Sequence, residues 1–140
     1  MKLVIDASIA LGWFIRQETY PDQLFLLEND YILVAPDLIF PESANALWRL
    51  INAERILPEQ GWRTLSVLDE CFDLIAPSKA LAETALSMAS RLNHPAYDCF
   101  YMALAEREGV QMLTADKKLL NKLKGTPFEA LAIGPIEKGT

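Results

Sequence analysis

The chain carries one histidine and two cysteines among its 140 residues, and each scarcity closes off a class of chemistry. A lone histidine, His94, with no GxSxG motif to accompany it, leaves a Ser-His-Asp hydrolase without its parts. Cys71 and Cys99 lie in apolar stretches with no CxxC spacing, so dithiol and zinc-ribbon chemistry drop out. Buried free thiols are expected in place of a disulfide. The six glycines form neither a GxGxxG fingerprint nor a P-loop. Long hydrophobic runs are also missing. The longest near the start, Leu3 to Ile15, is interrupted by Asp6 and Ser8, too short for a bilayer, and followed by no small-residue cleavage site. A cytoplasmic protein away from membranes is expected. Basic excess is lacking too: 13 Lys and Arg face 19 Asp and Glu, a formal charge of −6. Phosphates favour basic surfaces, yet if four acids were gathered around a metal, 19 − 4 = 15 acids would nearly balance the 13 bases. Net charge therefore does not decide the matter.

With 51% hydrophobic and 23% charged residues, the composition is that of a globular protein, and the length fits one domain over residues 1–140. Leu3-Val4-Ile5 reads as a strand buried on both faces, the kind found in parallel sheets. Further strands are predicted at Tyr31–Ala35, Cys71–Ala76, Val110–Thr114 and Phe128–Ile133. Helices are predicted over 9–16, 23–29, 37–53, 58–70, 79–92, 95–108 and 117–123. Pro41 is tolerable only in a first helical turn. Asn93 or His94 is expected to cap the helix beginning at Pro95, which Gly109 closes. The tail 137–140 is expected to fray. Strands separated by helices throughout predict an α/β fold, a parallel sheet with helices on both faces.

Four acids stand where such an architecture presents side chains to a common crevice. Asp6 and Asp116 end strands; Asp98 and Glu42 lie in the first turns of apolar helices. The plain alternative is local: Asp6 as a helix cap, and Asp98 and Glu42 opposing helix dipoles, worth about 0.3–1 kcal/mol each. Taken together, the four are harder to explain locally. Converging carboxylates repel unless a cation sits among them, and a cluster of carboxylates with no nearby His or Cys suits Mg²⁺ or Mn²⁺ rather than Zn²⁺. Such a site supports phosphodiester hydrolysis by activating water and steadying the leaving oxygen.

Four ordered segments, Val4-Ile5-Asp6-Ala7-Ser8, Pro41-Glu42-Ser43-Ala44-Asn45-Ala46-Leu47, Tyr97-Asp98-Cys99-Phe100-Tyr101-Met102-Ala103-Leu104-Ala105 and Leu113-Thr114-Ala115-Asp116, carry a resemblance. The chain resembles PIN-domain ribonucleases, and most closely the VapC toxins of prokaryotic toxin–antitoxin pairs. The resemblance implies a three-layer α/β/α sandwich around a five-stranded parallel sheet, and a Mg²⁺- or Mn²⁺-dependent endoribonuclease. It places the catalytic and metal-binding acids at Asp6, Glu42, Asp98 and Asp116, with Ser8 and Thr114 in support. It also implies a homodimer inhibited by a small antitoxin that supplies the DNA-binding module, so no direct DNA binding is expected without that partner.

Lys117 and Lys118 follow Asp116 and are candidates for RNA phosphates, as are Lys122, Arg16, Arg49 and Arg91; a solvated surface is the simpler reading of each. His94, four residues before Asp98, could approach substrate, but a capping or loop role is expected of it. The aromatic residues, Tyr101 included, read as core, with some exposed surface near Trp13, Phe14, Trp48 and Trp62 left for a dimer or antitoxin. Rivals in other classes are an RNA-processing PIN nuclease without antitoxin, an inactive PIN scaffold, a small-molecule phosphatase using Asp6 as nucleophile, and a receiver domain. The last two want a second acid near Asp6, and Ser8 stands two residues on.

Overall fold

Leu3, Val4 and Ile5 have no exposed surface, because their strand runs through the middle of a sheet covered by helices. In the computed structural model, which describes residues 1–137, that strand is β1 (Lys2–Ile5). The other strands are β2 (Ile32–Pro36), β3 (Leu74–Ala76), β4 (Gln111–Leu113) and β5 (Ala132–Ile133). All pair in parallel in the order β3-β2-β1-β4-β5. Chain order therefore reverses direction between β1 and β4. Open α/β sheets bind their ligands in the crevice that opens at such a point, beyond the carboxyl ends of the strands.

The helices are α1 (Ala7–Leu11), α2 (Phe25–Glu28), α3 (Ile39–Asn52), α4 (Pro58–Val67), α5 (Ala82–Leu92), α6 (Ala96–Glu108) and α7 (Lys117–Leu123). Pro41 falls in the first turn of α3, where it removes no needed donor. The middle of α6 is buried almost all round, Cys99 and Tyr101 through Ala105, since it packs on both the sheet and α5. Lys2 and Glu108 close the far end of β1 with a 2.5 Å ion pair. A smaller apolar cluster of Leu11, Ile15, Leu47 and Ile56 ties α1 to α3.

Several boundaries differ from expectation. The first helix begins at Ala7 and ends at Leu11, because Asp6 itself caps it. Cys71 closes a 3₁₀ turn, Leu68–Cys71, so β3 starts only at Leu74. Residues 129–131 form another 3₁₀ turn, leaving β5 two residues long. Beyond Glu137 the tail lies outside the described residues. The cysteines are free, Cys99 buried and Cys71 half-buried, and burial pushes the Cys99 thiol up to about 11. No helix among the described residues is long and apolar enough to cross a membrane.

Gly12, just after α1, is a point of close approach. A Cβ there would lie 2.6 Å from the Pro21 carbonyl oxygen, and backbone cannot swing aside as a side chain can. Gly12→Ala is expected to cost about 1–3 kcal/mol, read from urea unfolding; an unchanged midpoint would show that the 12–21 contact is loose.

Candidate active site

Asp6 follows β1 directly and is 8% exposed. A carboxylate so placed must be satisfied locally, and it is. Its Oδ1 accepts from the Ser8 hydroxyl at 2.6 Å and from the Ile9 N–H at 3.1 Å, and its Oδ2 accepts from the Thr114 hydroxyl at 2.5 Å. The two hydroxyl oxygens in turn accept from the far strand: Ala115 N–H donates to Ser8 Oγ and Asp116 N–H to Thr114 Oγ1. Each hydroxyl is thereby oriented, its lone pairs facing the backbone of the β4 loop and its proton facing Asp6. The polar lattice stitches the ends of β1 and β4 together at the switch point.

The other three acids reach the same place from different elements. Asp116 caps α7, its Oδ1 accepting from Leu119 N–H at 3.0 Å. Asp98 lies in the first turn of α6, where its Oδ2 stands 2.7 Å from Nε2 of His94. Glu42 lies in the first turn of α3. All four line one open pocket of about 410 Å³, together with Ser8, Thr19, Tyr20, Arg49 and Tyr101. The dipole and capping roles weighed from sequence are present as well; they do not compete with convergence, because helix starts gather at this edge of the sheet.

The electrostatics of the pocket are those of crowded negative charge. Burial pushes the Asp6 carboxyl up to about 6; its hydrogen bonds oppose that rise and the nearby Asp98 adds to it. Burial likewise raises Glu42, tempered by the Tyr101 hydroxyl and reinforced by Asp98 and Asp6. Glu42 Oε1 and the Tyr101 hydroxyl are both buried, and neither makes a hydrogen bond of regular geometry. A carboxylate oxygen buried among other carboxylates without a hydrogen bond of regular geometry is what a cation would satisfy, and the donors are all hard oxygens. The residues thus fit a divalent ion. Among the described residues no three His, Cys, Asp or Glu side chains already stand at coordinating distance.

The remaining candidates from the sequence fall in different places. His94 does not cap α6: Pro95 occupies the cap position with no side-chain bond, while His94 pairs with Asp98. Lys117 and Lys118 are exposed on α7 outside the pocket lining. Lys122 is engaged with the Asn93 carbonyl, and Arg91 lies over the Phe128 ring at 4.8 Å. Trp13 is buried, its indole N–H donating to the Gln23 carbonyl. Residues missed from sequence are Thr19, Tyr20 and the hydroxyl of Tyr101. Tyr101 is three residues after Asp98, hence on the same helical face, which was the available signal.

Asp6 gives a pH prediction with a definite sign. Its folded value of about 6 exceeds the unfolded 3.8, so its contribution to stability is fully present below about 3.8 and is lost as pH rises through about 6. At about 1.4 kcal/mol per pKa unit the full loss is about 3 kcal/mol. Asp6→Asn is therefore expected to be more stable than the parent at pH 8, with the gap closing near pH 4. Urea unfolding at both pH values checks it; an Asn variant less stable at pH 8 would contradict it.

A PIN domain family model matches residues 3–125. Ribonuclease VapC3 of Pyrobaculum aerophilum is 28% identical over 124 residues, covering 87% of this chain and 95% of that one. Ribonuclease VapC9 of Mycobacterium tuberculosis is 32% identical over 117 residues, covering 84% and 87%. A toxin–antitoxin complex from Klebsiella pneumoniae superimposes with a TM-score of 0.66 at 17% identity, covering 96% of this chain and 98% of that one, a likeness of fold. The matched span runs from within β1 to just past α7 and takes in every acid of the pocket. The chain belongs to the PIN-domain family, among its VapC-like members.

Proposed function

We propose that this protein is a cytoplasmic endoribonuclease, the toxin of a toxin–antitoxin pair, which hydrolyses RNA phosphodiester bonds with Mg²⁺ or Mn²⁺. The observation that carries the reading is the convergence of Asp6, Glu42, Asp98 and Asp116 on one pocket at the sheet's switch point, with a buried Glu42 oxygen that makes no hydrogen bond of regular geometry. The family and the VapC ribonuclease relatives supply the reaction class.

The four acids would hold the ion, which when bound supplies an activated water and neutralises charge on phosphate. Ser8 and Thr114 hold Asp6 in place and keep it an acceptor. Tyr101, its phenol kept protonated by burial and by Glu42, remains a neutral donor at the pocket wall. Arg49 is the cation on the lining of an otherwise acidic pocket and is placed to take a non-bridging phosphate oxygen. Lys117 and Lys118 flank the site and take neighbouring phosphates along the strand.

The partner reading rests on α3. The side of α3 turned from the acids forms, with α4, an apolar groove of about 350 Å³ lined by Leu47, Trp48, Ile51, Gly61, Trp62 and Leu65. Trp48 is 57% and Trp62 70% exposed, and aromatic surface grouped beside a groove is a feature of interaction sites. An apolar helix of a small antitoxin suits this groove, and a homodimer completes the assembly.

The purified chain is expected to cut single-stranded RNA internally with Mg²⁺ or Mn²⁺ and to stop in EDTA. Asp98→Asn should lower the cleavage rate at least about 100-fold, on the scale of losing a group that steadies charge in the transition state, with no fall in melting temperature. Gel analysis of end-labelled RNA measures cleavage and thermal unfolding by circular dichroism the melting temperature; full activity in Asp98→Asn would remove that residue from the site.

A further inference from the structure

Asp6 and Asp116 owe their orientation to backbone and hydroxyl donors, but Asp98 does not. It sits within the first turn of α6, past the position where a side chain caps the helix. The hydrogen bond to its carboxylate among the described residues comes from His94, Nε2 to Oδ2 at 2.7 Å. A carboxylate only accepts, so Nε2 carries the proton and donates.

The imidazole is held on a built corner. Asn93 ends α5 in the left-handed region, φ 51°. The His94 backbone N–H then donates to the Ala89 carbonyl at 3.1 Å, and the Asn93 carbonyl accepts from Lys122 Nζ at 2.6 Å. The next residue, Pro95, adds its own restriction on φ and limits the conformations open to His94. The His94 and Asp98 side chains are 13% and 29% exposed, shielded enough for one hydrogen bond to set a rotamer.

We propose that His94 is a positioning residue for the metal site: its Nε2–H fixes Asp98 Oδ2 and so leaves Oδ1 as the oxygen offered to the pocket. The inference rests on the reading of Asp98 as a metal ligand. With Nε2 committed to Asp98, the imidazole acts on the ion through the carboxylate and not as a ligand. Donors behind metal ligands characteristically matter by 10–100-fold in affinity.

The test is a Mn²⁺ titration of the full-length protein, with free Mn²⁺ read by electron paramagnetic resonance at pH 7.5. His94→Ala is expected to weaken binding about 10–100-fold. His94→Gln, whose amide Nε2–H reaches about as far, is expected to recover most of that loss. Metal-free melting temperatures of both variants should stay within a few degrees of the parent. Equal binding by His94→Ala and the parent overturns the inference alone. His94→Gln as weak as His94→Ala overturns it too, because the donated hydrogen bond is then not what matters. A parent that binds no Mn²⁺ overturns the metal reading of the pocket and this inference with it.

Discussion

The constraint on which the molecule turns is one carboxylate, Asp6, at the end of its most buried strand. The Ser8 and Thr114 hydroxyls and the Ile9 N–H give it hydrogen bonds, yet burial still holds it near 6. Those same hydroxyls join β1 to the β4 loop, so the bonds that make the charge tolerable also close the sheet at its switch point. Asp98 and Glu42 then bring further negative charge against it from α6 and α3. The fold thus carries an electrostatic cost at one edge, which the proposed cation would offset.

Helix α3 (Ile39–Asn52) ties this edge to the rest of the surface. Glu42 and Arg49, seven residues apart, face the acidic pocket, while Leu47, Trp48 and Ile51 face the apolar groove shared with α4. Whatever occupies the groove lies against the same helix that supplies an acid to the pocket. Catalysis and partner binding, as proposed, therefore share one rigid element.

Much of this was legible in the sequence because the strongest signals are local. The Leu3–Ile5 run could only be a central strand, and Asp6, Glu42, Asp98 and Asp116 stand at element ends, which parallel α/β topology gathers on one side. Their convergence could be anticipated; their partners could not. The pairing of Thr114 with Asp6 spans 108 residues of sequence separation, and no periodicity encodes it. Tyr101 reads as core because it is almost wholly buried, yet it also lines the pocket. Trp13 and Trp48 are alike as letters, but one is sealed against Phe72 and the other lies open. The late start of β3 followed from a 3₁₀ turn that took Cys71, a tertiary choice that strand propensity does not see.

The most direct test of the account is where a divalent ion settles. Crystals soaked in Mn²⁺ and measured at its absorption edge should give an anomalous peak within the pocket, next to Asp6, Asp98 and Glu42 or Asp116. A peak confined to other acidic surface, or none at saturating Mn²⁺ near pH 7.5, would contradict the claim that these carboxylates form a cation site.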